Sequence, residues 1–370
     1  MSQAALVSPC RSGVSRDPGG EDRAGRFVSR RMGVSVAGGS SFVARAASRL
    51  APLLQGVAVA FVGMGWCAPA VAQPDPNQRI GVTVADAPSP DYRFERFVVA
   101  SDDGLRQWRV NLGIPRQRAP RGGFAALYML DGNAALMEFD AAALATLAQG
   151  RPPVLVFVGY DNDLRIDGAQ RTGDYTPSAV DDGLGQGVRG GGAARFGEAL
   201  IGTIQPEARR RARIDRSREA LWGHSLGGLF VLNLLYTRGD AFARWFPASP
   251  SLWWDRGAIL GEPERRFLAR QLARPASVTI AQGERERAPR EGAREAADPR
   301  AAAHRARIGV VPADAARRLA ERLRAMPGLS VCYREFPGLG HGPMLRASLL
   351  AAAQTMADEA APPCEAAPER

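Results

Sequence analysis

The sequence contains no lysine, only three histidines and only four cysteines in 370 residues. All 48 basic residues are therefore arginine, which makes the formal charge of +10 a compositional bias spread along the chain rather than one basic face. Eight of those arginines fall in residues 1–72 against three acids, leaving +5 for residues 73–370. No nucleic-acid-binding motif accompanies the charge, so a nucleic-acid partner is not expected. The few histidines and cysteines show no metal-ligand spacing, so neither a metal nor an organic cofactor is expected. Long apolar runs are also scarce. The one at Leu50–Ala72 follows Arg45 and Arg49 and ends in Ala70-Val71-Ala72, a small-x-small pattern. It reads as a signal peptide cleaved after Ala72, which implies a periplasmic or secreted protein with no stable membrane insertion. Of the four cysteines only Cys332 and Cys364 lie beyond that point, where an oxidising compartment would let them pair.

What is present is a globular composition, 45% hydrophobic, enough for a sizeable core. Residues 73–90 are rich in Pro and Asp and read as a linker, residues 91–360 as one domain and residues 361–370 as a tail. Phe94–Ala100 and Gln107–Ile114 flank Asp102-Asp103-Gly104 and predict an antiparallel hairpin. Strands follow at Ala125–Leu130, Val154–Val158, Glu219–Trp222, Trp245–Ala248, Val278–Ala281 and Leu329–Phe336. Helices are expected at Ala134–Gln149, Arg195–Ile204, Leu226–Thr237, Arg265–Leu272, Ala313–Arg324 and Met344–Ala357, with residues 161–193 as loop. Residues 282–310, rich in Arg, Glu and Ala, read as a solvated insertion. A hairpin followed by this alternation predicts an α/β fold with a mostly parallel central sheet and helices on both faces, and with the elbow described next it is an α/β-hydrolase fold that is expected. Its ligands would meet it at the carboxyl ends of the strands.

Gly223-His224-Ser225-Leu226-Gly227 matches G-x-S-x-G, with an apolar strand entering it and an apolar helix leaving it. That context predicts a nucleophile elbow with Ser225 on a strained turn at a helix N-terminus. A serine hydroxyl needs a base. His224 lies within the elbow, its side chain expected to point away from the substrate, and His304 lies in the insertion. His341, in Gly-Leu-Gly-His-Gly after the last strand, is where the base of this fold belongs. Glu286, just past the strand before the last, is the first choice for the acid that orients the imidazole, with Glu284, Asp255 or a Ser–His dyad as alternatives. The oxyanion hole is expected from the amide of Leu226 and from the Asp131-Gly132-Asn133 loop, with Gly132 allowing close approach and Asn133 capping the next helix.

With these residues in view, the chain resembles the Putative esterase (esterase D-like) branch of α/β-hydrolases, in particular a subgroup that includes periplasmic siderophore esterases cleaving enterobactin-type trilactones. The resemblance rests on LYMLDGN (Leu127–Asn133), Val156–Tyr160, RTGDYTP (Arg171–Pro177), Gly191–Phe196, LWGHSLGGLF (Leu221–Phe230), ASPSLWWD (Ala248–Asp255) and Phe336–His341. It implies that Ser225 and His341 are catalytic. It also implies that RTGDYTP borders the mouth of the site with Arg171 contacting an anionic substrate, and that Trp253 and Trp254 pack beside the pocket or in the core. The partner is then a small-molecule ester, which Arg171, Arg285, Arg287 and Arg290 would attract if anionic. An acyltransferase, a general short-chain carboxylesterase and a catalytically silent binding protein are the alternative functions on this fold.

Overall fold

The computed structural model describes residues 75, 77–181, 187–287 and 306–358. The expected signal peptide, Cys364, His304, Arg290, the tail at 361–370 and most of the 282–310 insertion lie outside the described residues. Cys332 is disulfide-bonded.

Eight strands form one sheet in the order β1-β2-β4-β3-β5-β6-β7-β8. β1 (Tyr92–Ala100) and β2 (Gln107–Pro115) are the expected hairpin, and β2 pairs antiparallel with β4 (Val154–Tyr160). From β4 through β3 (Phe124–Met129), β5 (Ile214–His224), β6 (Arg244–Ala248), β7 (Ala276–Gly283) and β8 (Leu329–Phe336) all pairings are parallel. β3 and β4 are buried at every residue, as their uninterrupted apolar runs require when helices cover both faces. Alternate residues serve opposite cores: Ala126, Tyr128 and Leu130 face one, Ala125, Leu127 and Met129 the other.

The first core is closed by α4 (Ala193–Ala199), which runs through a π-helical turn at Leu200–Ile204 into α5 (Gln205–Arg211), and by α6 (Leu226–Arg238), α7 (Glu262–Leu268) and α8 (Ala315–Leu323). The second is closed by α1 (Gly132–Met137), α2 (Ala141–Ala148) and α9 (His341–Ala357).

Three elements depart from the sequence reading. The single helix expected at Ala134–Gln149 is two, because the Asp140 side chain accepts from the Ala143 amide and starts a second helix. The expected loop at 161–193 contains α3 (Gly168–Tyr175), capped by Asp167 through the Gln170 amide at 2.9 Å. Its pattern was masked because its buried face is Arg171, Thr172, Asp174 and Tyr175 rather than an apolar stripe. Part of the stretch read as linker docks on the domain: the Ile80 amide donates to Asp163 O and the Arg165 amide to Gln78 O.

Candidate active site

β5 ends at His224 and α6 begins at Leu226, so Ser225 alone makes the turn, at φ 60° and ψ −118°. That is a conformation L-residues avoid, and it persists where the surroundings enforce it. Here they do so through hydrogen bonds: the Ser225 amide donates to Ala248 O at 2.9 Å, and Ser225 O accepts from the Ser251 and Leu229 amides, each at 3.0 Å. A Cβ on Gly223 would collide with the Gly227 carbonyl oxygen, and one on Gly228 would lie 2.8 Å from Ala248 O. Gly223 and Gly228 are thus demanded by close backbone approach, whereas a Cβ on Gly227 would meet only ordinary contacts.

His341 is the first residue of α9, 116 positions from Ser225 in the chain, and its Nε2 lies 3.1 Å from Ser225 Oγ. Its Nδ1 lies 2.7 Å from Glu286 Oε2. Glu286 closes a 3-10 turn directly after β7, and its Oε1 accepts from Ser249 Oγ at 2.6 Å and from the Gly283 amide at 2.9 Å. Burial works to raise the Glu286 pKa, but its hydrogen bonds and the His341 charge outweigh that and hold it below 4.5. The other two acid candidates are elsewhere. Glu284 accepts from the Gly338 amide at 2.7 Å, tying the β7 turn to the loop that leads into His341. Asp255 lies in a left-handed turn with Arg256 and Gly257, where it lines a cavity with Trp253 and Arg307.

At the carboxyl end of β3, α1 begins with Gly132. A Cβ there would meet Val158 C at 2.5 Å and Gly159 N at 2.6 Å, so only glycine brings this loop against β4. The amides of Gly132 and Asn133, in the first turn of α1, and of Leu226, in the first turn of α6, have no acceptor within their own helices. Asn133 does not cap α1. Asp131 holds the cap position, and the Asn133 amide group donates to the carbonyls of Tyr160, Asn162 and Leu164, tying down the chain after β4.

Arg171 corrects the sequence reading most sharply. Its guanidinium is committed to protein partners rather than open to solvent: it is only 9% exposed and forms a two-pronged pair with Asp131 (Nε–Oδ1 2.9 Å, Nη2–Oδ2 2.8 Å), with a third bond to His224 O at 3.3 Å. Arg287 likewise pairs with Glu335. Trp254 is buried, its indole N–H donating to Ser178 Oγ at 3.0 Å. Half-buried Trp253 stands at a cavity of about 510 Å³ together with Val180, Asp181, Arg256, Arg307 and Val310.

Two neighbours of the site escaped the sequence. Ser249 holds Glu286, and Ser251 Oγ lies 3.2 Å from Ser225 Oγ. Both sit just past the carboxyl end of β6, a position that signals a site in this fold. His224, which the sequence reading set aside as the base, is buried, with its ring 4.6 Å from that of His341. Burial, then the charges of His341 and Arg171, push its pKa well below 6.5, so it stays neutral beside His341.

A sheet of this strand order, with a serine on a strained strand-to-helix turn and a serine–histidine–carboxylate chain of hydrogen bonds at the carboxyl ends of its strands, defines a serine hydrolase of the α/β-hydrolase fold. Residues 105–315 match the Putative esterase family. The chain is 35% identical over 289 residues to the apo-salmochelin esterase of Escherichia coli O6:H1, covering 75% of this chain and 83% of that protein. It is 30% identical over 261 residues to the ferri-bacillibactin esterase of Bacillus subtilis, covering 66% and 82%. Among solved structures, the enterobactin hydrolase IroE in complex with the serine-hydrolase inhibitor DFP superposes with a TM-score of 0.56 at 31% identity, covering 75% of this chain and 99% of that one. The chain belongs to the Putative esterase family and is a serine ester hydrolase.

Proposed function

We propose that this protein is an exported siderophore esterase in which Ser225 is the nucleophile, His341 the general base and Glu286 the acid that orients it. The observation that carries the catalytic reading is the continuous chain Ser225 Oγ–His341 Nε2 (3.1 Å) and His341 Nδ1–Glu286 Oε2 (2.7 Å). Glu286 keeps the proton of the imidazole on Nδ1, which leaves Nε2 free to accept the Ser225 proton. Ser225 attacks the ester carbonyl, and the tetrahedral oxyanion is received by the amide of Leu226 and an amide of the Gly132-Asn133 turn. His341 passes the proton to the leaving alcohol. Water, activated by the same base, then releases the acyl group from Ser225.

The substrate reading, a catecholate trilactone or its linear fragments, is supported by what the relatives hydrolyse and by the cavity at Trp253, reached two residues along the chain from Ser251. Trp253 lines that cavity with Arg256 and Arg307, whose charges would attract an anionic aryl arm, and with Asp181 and Asp255. Export is supported by the leader at residues 1–72. Among the described residues no helix is long and apolar enough to cross a membrane.

The test is hydrolysis of p-nitrophenyl acetate, butyrate and octanoate and of a catecholate trilactone, with and without iron, by the mature protein and by Ser225→Ala. Activity strongest on the trilactone and lost in Ser225→Ala is expected. Turnover of short esters alone would leave a general carboxylesterase, and a rate equal in both proteins would overturn the catalytic reading. N-terminal sequencing of the exported protein checks cleavage after Ala72.

A further inference from the structure

The charged pair Asp131–Arg171 is among the most buried in the described structure, at 5% and 9% exposure, and the reaction as written gives it no task. Its place is specific. Asp131 is the residue that turns the chain from β3 into α1, in a left-handed conformation (φ 50°, ψ 48°) unusual for a non-glycine residue. Arg171 holds both carboxylate oxygens of Asp131 and, through the same Nη2, also donates to His224 O, at the end of β5. Tyr175, one turn further along α3, accepts the Asp131 amide proton on its hydroxyl at 3.0 Å. A Cβ on Gly227 would lie 3.7 Å from Asp131 Oδ2, so the carboxylate also abuts the first turn of α6.

One helix thus grips two strand ends at once. The residue after Asp131 opens the turn that offers the Gly132 and Asn133 amides, and two residues after His224 comes the Leu226 amide. Those are the donors to the oxyanion in the mechanism above. α3 is itself fastened from behind, because its Asp174 accepts from Trp108 Nε1 at 2.9 Å and from Arg106 Nε at 3.2 Å, both on the β1–β2 hairpin side.

We infer that Arg171 is a positioning residue that sets the separation of the two oxyanion donors by bridging Asp131 and the His224 carbonyl. The inference rests on the catalytic reading given above. A neutral or single-point side chain at 171 would leave each strand end free to relax separately, and an ångström of drift at the donors costs on the order of 100-fold in turnover. Burial disfavours the charged guanidinium, and the Asp131 carboxylate more than offsets this, so Arg171 stays charged.

Removing one partner alone would strand a buried charge and unfold the protein for an uninformative reason. The double variant R171M/D131N avoids that, with Asn tolerated in the left-handed conformation. Its expected behaviour is a melting temperature close to that of the parent, a kcat for p-nitrophenyl butyrate lower by about 100-fold and a KM within threefold. Affinity for a trifluoromethyl ketone, whose adduct places an oxyanion in the hole, should fall by the same factor as kcat. A purely structural pair would leave kcat unchanged once the melting temperature is recovered, so a parent-like kcat overturns the inference. A lowered kcat with unchanged ketone affinity also overturns it. Should the double variant not fold, Arg171→Lys decides. Its single ammonium keeps the charge but not the three-point grip, so kcat and ketone affinity are expected to fall together by about tenfold, and a parent-like kcat again overturns the inference. Ser225→Ala assayed alongside separates the two failures: a retained rate there removes the catalytic reading and the positioning role with it, whereas a Ser225-dependent rate insensitive to Arg171 removes the positioning role alone.

Discussion

Glu286→Gln changes one atom in the site and should have a disproportionate effect. Glu286 Oε1 is fixed by two donors, Ser249 Oγ at 2.6 Å and the Gly283 amide at 2.9 Å, while Oε2 faces His341 Nδ1 at 2.7 Å. Gly283 N–H can only donate, so the carbonyl oxygen of Gln must take the Oε1 position and its NH2 must face His341. The reverse orientation sets NH2 against N–H in a pocket where the side chain is only 12% exposed, an unmade hydrogen bond costing about 1–3 kcal/mol. With NH2 facing it, Nδ1 must accept, the imidazole proton moves to Nε2, and Nε2 then points a proton at Ser225 Oγ instead of receiving one. The lost stabilisation of the imidazolium adds to this wrong tautomer, and kcat should fall by about 10³–10⁴-fold. Glu286→Ala, which imposes no tautomer, should retain about tenfold more activity than Glu286→Gln despite its poorer shape. The assay is kcat on p-nitrophenyl butyrate for all three proteins, with melting temperatures to show that each is folded. A Gln variant within tenfold of the parent would refute Glu286 as the orienting acid, and a Gln variant faster than Ala would refute the tautomer argument.

The same carboxylate makes a pH-dependent contribution to stability. Its pKa in the folded protein is depressed below 4.5, so the stabilisation is present above the unfolded value and lost as pH falls through the folded one. The gap in melting temperature between the parent and Glu286→Gln should therefore shrink below about pH 4, and a gap constant from pH 7 to pH 3 would contradict the assignment. Ser225→Gly should be more stable than Ser225→Ala by about 1–3 kcal/mol in denaturant titrations, because only glycine relieves φ 60°, ψ −118°, while neither turns over ester. Gly132→Ala should lose about 1–3 kcal/mol of stability and at least about 100-fold in kcat, because its Cβ would push the β3–α1 turn off Val158 and Gly159. Trp253→Ala should raise KM for a catecholate trilactone by about tenfold and leave p-nitrophenyl acetate untouched; equal effects on both would remove Trp253 from substrate recognition.

Much of this protein was legible in its one-dimensional pattern. Uninterrupted apolar runs marked β3 and β4, and the Asp-Asp-Gly turn marked the β1–β2 hairpin, because burial on both faces and hairpin closure leave local signatures. The strained turn at Ser225 was legible because a nucleophile elbow needs small residues at fixed offsets, and the neighbour of Ser225 because position and elimination singled out His341 among three histidines. Those features are short-range: a strained turn, a strand entering it and a helix leaving it are all decided within about twenty residues of chain.

The choice among Glu286, Glu284 and Asp255 was not local, nor was the task of Arg171. All three acids follow the carboxyl end of a strand, and each has an arginine nearby in sequence. Only the folded turn after β7, held by the Gly283 amide and Ser249, turns Glu286 toward His341 and leaves Glu284 on the Gly338 amide. Arg171 likewise looked like a cation awaiting an anionic ligand. Only the packing of α3 against the ends of β3 and β5 reveals that its anion is Asp131, 40 residues upstream. Sequence decides which residues can carry charge, bend the chain or fill a core, since these are properties of the side chain and its immediate neighbours. Which charge meets which is decided by the tertiary structure, because a buried ion is stable only where distant segments bring it a partner at hydrogen-bonding distance.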